Sequence, residues 1–286
     1  MEEKMNNIIL VPTDFSEVCE SAIKQAVEAA RYLKFKVLLL HVIDKETIAY
    51  LHKENLPLEA IDGKLKAIAD DIRNNQGIEA EYLAKDGNIF TTISEVAKEL
   101  GVSLVFLGTH GKVGMQKLTG SFALKVVTSS PVPVIVVQKR PFGKGYKNIV
   151  MPITSPDGPW EKTQWAVYIA RQFDAKVHLF TPWDANAGVK EAVKTIAGYL
   201  AKNNVKFTEA AAEKSLGLHD GGTFSNHVID YAAASNSDLI LIMTNPDKNL
   251  ASYLLGSYDE QIVFNFSEIP VMCINPRKIN YEIEGK

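Results

Sequence analysis

The chain has 286 residues, of which 46% are hydrophobic and 23% charged, with a formal net charge of -3. That balance belongs to a soluble globular protein of about two domains, and it offers neither the basic footprint of a nucleic-acid binder nor a polybasic membrane anchor. Two distant cysteines, Cys19 and Cys273, an N-terminus without the basic and apolar regions of a secretion signal, and no apolar stretch near the roughly 20 residues of a membrane span all fit a cytoplasmic protein.

Ile8 to Thr13 (IILVPT) reads as a buried strand. Ser16 is placed to cap the next helix, which packs through Ala22, Ile23, Ala26, Ala29 and Ala30. Lys36 to Ile43 (KVLLLHVI) is a second buried strand, with His41 expected to be packed and hydrogen-bonded. A long helix is expected from Leu56 to about Asn75, an alternating strand from Gly77 to Leu83, and a helix from Phe90 to Leu100 stopped by Gly101. Ser103 to Leu107 is a buried strand that runs into GTHGKVGMQKLTGS. A helix follows from Ser121 to about Ser129, then Val132 to Val137 (VPVIVV). Apolar strands alternating with helices predict an α/β fold with a parallel sheet covered on both faces.

Lys139 to Tyr146 (KRPFGKGY) reads as a linker region, after which the pattern begins again. Lys147 to Ile153 echoes the first strand, with Pro152 matching Pro12. Ala175–Thr181, Val205–Ala211, Ser237–Met243 and Ile269–Ile274 echo the other four, and Gly256-Ser257 echoes Gly120-Ser121. The chain is therefore expected to be a tandem duplication: a domain over 1–140, a linker over 141–146 and a second domain over 147–286.

In an open parallel sheet, ligands bind beyond the carboxyl ends of the strands, at the switch point. Pro12-Thr13-Asp14, Val42, Gly108 to Gly111, and Gly120-Ser121 should meet there. Asp14 can accept from ribose hydroxyls or an adenine amine, and main-chain groups near Val42 can pair with a base edge. Gly108 and Gly111 permit close backbone approach. Gly120, Ser121 and Phe122 offer N–H groups to phosphate, with the Ser121 hydroxyl as a further donor. His110, Lys112 and Lys117 lie in the same loop and can touch phosphate; exposed surface side chains are the alternative. The glycines can instead serve a strand-to-helix turn, and Asp14 can instead cap the helix near Ser16.

A strand ending in PTDFS, a second ending in HV, then GTHG, a glycine-serine pair and SSPVPVIVV resemble the universal stress protein family over nearly the whole chain, as two tandem copies. The resemblance implies two Rossmann-like domains of the adenine nucleotide alpha hydrolase type. Each would be a five-stranded parallel sheet of order 3-2-1-4-5 with helices on both faces. It implies ATP or another adenine nucleotide, with or without Mg, held by Pro12, Thr13, Asp14, Val42, Leu107, Gly108, Gly111, Gly120, Ser121 and Phe122. ATP-binding members place nine residues between the second and third glycines of the motif; here eight, Lys112 to Thr119, separate Gly111 from Gly120.

The second copy departs from this pattern. Thr154 stands where Asp14 does, and Thr244-Asn245-Pro246-Asp247 replaces GTHG; Pro246 has no N–H to give and Asp247 would repel phosphate. The second copy is expected to be a degenerate pseudo-dimer partner, pairing through the last, edge strand and shielding two apolar edges. A further homodimer and a protein partner of unknown identity are compatible with it. His219, Asp220 and His227 match no metal spacing. Cys19 reads as a small buried residue, with a redox sensor as the alternative, and Trp160, Trp165 and Trp183 as packing residues or the lining of an apolar pocket. The reading is a nucleotide-binding regulatory or stress-response module. A slow ATPase and a nucleotide-free scaffold are the alternatives. The glycine region holds no arginine and no Walker signature to support fast hydrolysis.

Overall fold

A computed structural model describes residues 6–109, 120–141, 143, 145–155, 160–213, 223–244 and 258–276, leaving aside the side chains of 120–122 and 258–259. The chain divides into two compact units, Met1–Phe142 and Gly143–Lys286.

The first unit runs β1 (Ile8–Pro12), α1 (Glu17–Leu33), β2 (Lys36–Ile43), α2 (Lys45–Lys53), α3 (Glu59–Gln76), β3 (Ala80–Asp86), α4 (Ile89–Glu99), β4 (Leu104–Gly108), α5 (Gly120–Ser129) and β5 (Val134–Val137). Its sheet has the order β3-β2-β1-β4-β5. Each neighbouring pair is parallel, with Ile9 opposite Val37 on one side and Leu104 on the other. The strands are apolar on both faces because helices cover both: every residue of β1, β4 and β5 is buried. Right-handed crossovers put α1 and α3 on one face and α4 and α5 on the other, because the chain reverses its direction across the sheet after β3. Two contacts agree: Arg31 of α1 reaches Gln76 of α3 at 3.3 Å, and Ser94 of α4 meets Ser129 of α5 at 3.0 Å. The edge strand β3 is only partly buried and carries Glu81, Lys85 and Asp86. Charge on an edge discourages pairing with another chain.

The second unit repeats this with β6 (Asn148–Pro152), α6 (Trp160–Phe173), β7 (Lys176–Thr181), α7 (Ala187–Lys202), β8 (Lys206–Ala211), α8 (Phe224–Ala234), β9 (Leu239–Met243), α9 (Tyr258–Val263) and β10 (Val271–Ile274) among the described residues. Its order, β8-β7-β6-β9-β10, is the same 3-2-1-4-5 arrangement, again parallel throughout. Tyr146 is fully buried against Phe173, with ring centroids 5.0 Å apart, so the core of this unit begins before β6.

Three local expectations change. The helix expected from Leu56 forms as α3, and a helix that was not expected, α2, precedes it. Asp44 starts α2 by accepting from Glu46 N at 3.0 Å and Thr47 N at 2.9 Å. Pro57 then disfavours helix at the residue before it, and α3 begins at Glu59. The strand expected from Gly77 starts later, at Ala80, because Gly77 sits at φ 67° as the left-handed stop of α3. Ser16 occupies the N-cap position of α1, but its side chain makes no capping bond.

Candidate functional site at the strand ends of the first unit

The chain leaves β1 through a turn of three polar bonds. Thr13 N donates to Leu40 O at 2.8 Å, adding one rung past the strand. Phe15 N donates to Thr13 Oγ1 at 3.1 Å, and Ser16 N donates to Asp14 Oδ1 at 2.9 Å. Asp14 thus closes the turn just before α1 without capping the amides of its first turn, and the residue as a whole is exposed. Its partial burial pushes the carboxyl pKa up, but the Ser16 hydroxyl, the Cys19 thiol and the Ser16 N–H beside it outweigh that and hold it below the ordinary value. Asp14 is therefore an anion at neutral pH.

Phe15, between these turns, has φ 64°. A bulky residue in the left-handed region costs on the order of 1–3 kcal/mol, and such strain gathers at functional sites. Its ring stacks on His41, centroids 4.8 Å apart and planes 19° from parallel. Lys64 of α3 stands over the Phe15 ring at 5.3 Å and over Tyr50 of α2 at 4.8 Å.

β2 outruns β1. Alternate residues of β2 bond to alternate neighbours: Val37 N and Ile43 O meet the β3 side, through Glu79 O at 2.9 Å and Gly87 N at 3.2 Å. Lys36 N and Leu40 O meet the β1 side, through Asn7 O at 3.0 Å and Thr13 N at 2.8 Å. Val42 is in phase with Leu40, so its N–H and C=O face the space where β1 has already turned away. An adjacent main-chain donor and acceptor at an open sheet edge is what a planar heterocycle's edge requires.

β4 supplies the third side. Leu107 is fully buried and reaches the edge only through its main chain; Gly108 ends the strand, and Thr109 N donates to Val137 O at 2.9 Å. A β-carbon on Gly108 would stand 2.7 Å from Val18 O and 3.1 Å from Cys19 N. The atoms that require a glycine here belong to the first turn of α1. His110, Gly111, Lys112 and Lys117 lie outside the described residues. Gly120 opens α5, with Ser121 and Phe122 in its first turn, so backbone N–H groups lacking helical partners stand at this end of the sheet. Pro12, Thr13, Asp14, Val42, Leu107, Gly108 and the start of α5 therefore share the carboxyl-end edge.

Sequence reasoning missed Thr47 and Lys64 here, and it assigned Phe15 no role. His41 is packed and hydrogen-bonded as expected: it is 6% exposed, with Nδ1 2.8 Å from Thr13 O and Nε2 3.0 Å from Thr47 Oγ1. Burial lowers its pKa most strongly, against the Thr13 bond and the Asp14 and Asp44 charges that raise it; the net direction is down.

The second unit keeps the geometry and changes the chemistry. Ile153 N donates to Phe180 O at 2.8 Å, repeating the Thr13–Leu40 rung, but exposed Thr154 follows in place of a carboxylate. The buried Lys162 sends its Nζ to Pro152 O at 2.6 Å. Asn245 to Asp247, Gly256 and Ser257 lie outside the described residues, as do His219 and Asp220. Among the described residues no group of three or more His, Cys, Asp or Glu side chains can hold a metal ion, and no helix is long and apolar enough to cross a membrane. Trp165 packs in the core as expected; Trp160, 45% exposed, packs its ring on Tyr199 with centroids 4.5 Å apart, and Trp183 is 52% exposed.

The family model described as "Universal stress protein family" matches residues 5–138 and again 145–275. The chain belongs to the universal stress protein family. It is a tandem, two-domain member, and its single-domain relatives match about half of it. Universal stress protein MJ0577 of Methanocaldococcus jannaschii is 33% identical over 157 residues, covering 46% of this chain and 94% of that protein. Universal stress protein MJ0531 of the same organism is 30% identical over 150 residues, covering 48% of this chain and 85% of that protein. The crystal structure of a universal stress protein from Archaeoglobus fulgidus superposes with a TM-score of 0.72 and covers 96% of this chain and 97% of its own. At 15% identity that likeness concerns the fold alone.

Proposed function

We propose that the first domain of this universal stress protein binds an adenine nucleotide, ATP or a close relative, and that the protein works as a nucleotide-responsive regulatory module. The observation that carries this is the Val42 main chain, whose N–H and C=O face the gap past the end of β1, where the chain turns through Thr13 and Asp14. The base edge is read by Val42, a ribose hydroxyl donates to Asp14, and phosphate goes to the N–H groups at Gly120, Ser121 and Phe122. His110 and Gly111 are assigned to the phosphate end by the sequence motif. A Mg ion, if it accompanies ATP, is held by the phosphates.

The second domain, lacking the carboxylate at Thr154, is proposed as a pairing partner and not a second nucleotide site. The proposed pairing uses the last strand of each domain, and it requires slow hydrogen exchange at the amides of both Val134–Val137 and Val271–Ile274 in the intact chain.

Calorimetric titration of the full chain with ATP tests the nucleotide reading. One site per chain is expected, lost or strongly weakened in Asp14→Ala. No binding, or binding indifferent to Asp14, refutes it. Phosphate release in the same samples separates a binder from a slow ATPase.

A further inference from the structure

The His41 ring sits among three oxygens that can share only a few protons. Thr13 O has no hydrogen to give, so Nδ1, 2.8 Å away, must carry one and donate it. A neutral ring then has only a lone pair at Nε2. Thr47 Oγ1, 3.0 Å from Nε2, must spend its single hydroxyl proton there. Two other acceptors lie within reach of that hydroxyl: Asp44 Oδ1 at 3.2 Å and Val42 O at 3.4 Å. With the ring neutral, neither receives the Thr47 proton. With the ring protonated, Nε2–H donates to Thr47 Oγ1, and the freed hydroxyl proton turns to Asp44 or Val42.

We propose that His41 is a positioning residue for the nucleotide site: its neutral, Nδ1-protonated ring pins the Thr13 carbonyl and holds the Thr47 hydroxyl away from the Val42 carbonyl, leaving that carbonyl for the amine of the base. This rests on the nucleotide reading above and adds to it a dependence on one proton. Charged groups face the ring from three elements: Asp14 in the turn after β1, Asp44 at the start of α2, and Lys64 on α3. Phe15 covers one face of the ring, so protonation must be accommodated at Nε2 in a buried setting. Burial keeps the ring neutral at physiological pH, which is the binding-competent state. Ligand affinity should therefore fall as the pH drops through the point where His41 titrates.

The test uses the full chain and adenosine, whose lack of phosphate removes ligand titration from the range. Nitrogen-15 NMR of the imidazole gives its tautomer and its titration, and calorimetry at the same pH values gives the affinity. The expected result is the Nδ1–H tautomer, affinity that follows the neutral fraction, and a Thr47→Val variant whose affinity no longer does. A predominant Nε2–H tautomer overturns the proposal, as does affinity that falls while the ring stays neutral, or an acid loss unchanged in Thr47→Val. If adenosine and ATP both fail to bind at pH 8 while the ring shows the Nδ1–H tautomer, the nucleotide reading falls and takes this role of His41 with it.

Discussion

Gly108 and Val18 stand so close that a β-carbon on the glycine would lie 2.7 Å from the Val18 carbonyl oxygen. That oxygen belongs to helix backbone near the start of α1, which cannot swing aside as a flexible side chain would. Gly108→Ala should therefore cost about 1–3 kcal/mol through overpacking, with or without nucleotide. Denaturant unfolding of the two proteins measures it. A loss under about 0.5 kcal/mol would mean that α1 yields without strain. The consequence for function is direct: reduced ATP binding in a Gly108 variant would report displaced helix as much as lost ligand contact.

Asp14 separates those effects better. Its Oδ1 takes the Ser16 N–H, and the residue as a whole is exposed. Asp14→Ala should remove the Ser16 N–H bond and cost about 1 kcal/mol. Asp14→Asn keeps an oxygen in place and should cost less. The pH dependence has a definite sign. The native carboxyl is held below its unfolded value, so its stabilisation is complete above the ordinary carboxylate range and disappears as pH falls through the depressed native value. The stability gap between wild type and Asp14→Asn should thus close on acidification. A gap that widens toward acid would show that the native carboxyl titrates above its unfolded value.

Much of this was legible in the sequence because the strands are short apolar runs separated by turn residues, a pattern set by burial on both faces. The repeat of Pro12 at Pro152 and of the strand spacing carried the two-domain reading, and the strand order followed from the family resemblance. The site was legible only in part. A glycine at 108 is visible, but that Val18 takes the space beside it depends on a helix some ninety residues earlier in the chain. Phe15 carries no mark of its left-handed backbone, because the turn is closed by hydrogen bonds to Thr13 and Asp14 and not by a glycine. Helix α2 went unseen because nine residues with Thr47 and Leu51 buried are too few to show a helical period. The Thr47 hydroxyl becomes meaningful only once α2 places it against His41.

Cys19 bears on whether this end of the sheet senses oxidants. The thiol is fully buried in the first turns of α1, and burial, with the Asp14 charge next, pushes its pKa up to about 12. The thiolate is the reacting species, so the folded protein should hardly react with a thiol reagent at pH 8. Labelling should become fast only in denaturant, with Cys273, also buried and free, behaving in the same way. Rapid modification of Cys19 in the native protein, followed by peptide mapping, would contradict this burial and restore a redox role.

Tyr146 marks where the second domain starts. Its ring is fully buried, packed 5.0 Å from Phe173 at the end of α6, itself 1% exposed. Strand β6 begins two residues later, so a boundary drawn at the strand would strip a core side chain from the domain. Removing a large buried aromatic ring costs about 3–5 kcal/mol, because the cavity left behind closes only in part. Tyr146→Ala in the full chain should destabilise the second domain by that amount, whereas Tyr146→Phe keeps the packing and should cost far less. Hydrogen exchange reads the two domains separately: in Tyr146→Ala, protection should drop at β6 and β7 before it drops at β1 and β2. Equal loss in both domains would mean that they unfold as one cooperative unit, and no loss in either would mean that the ring is not part of the core.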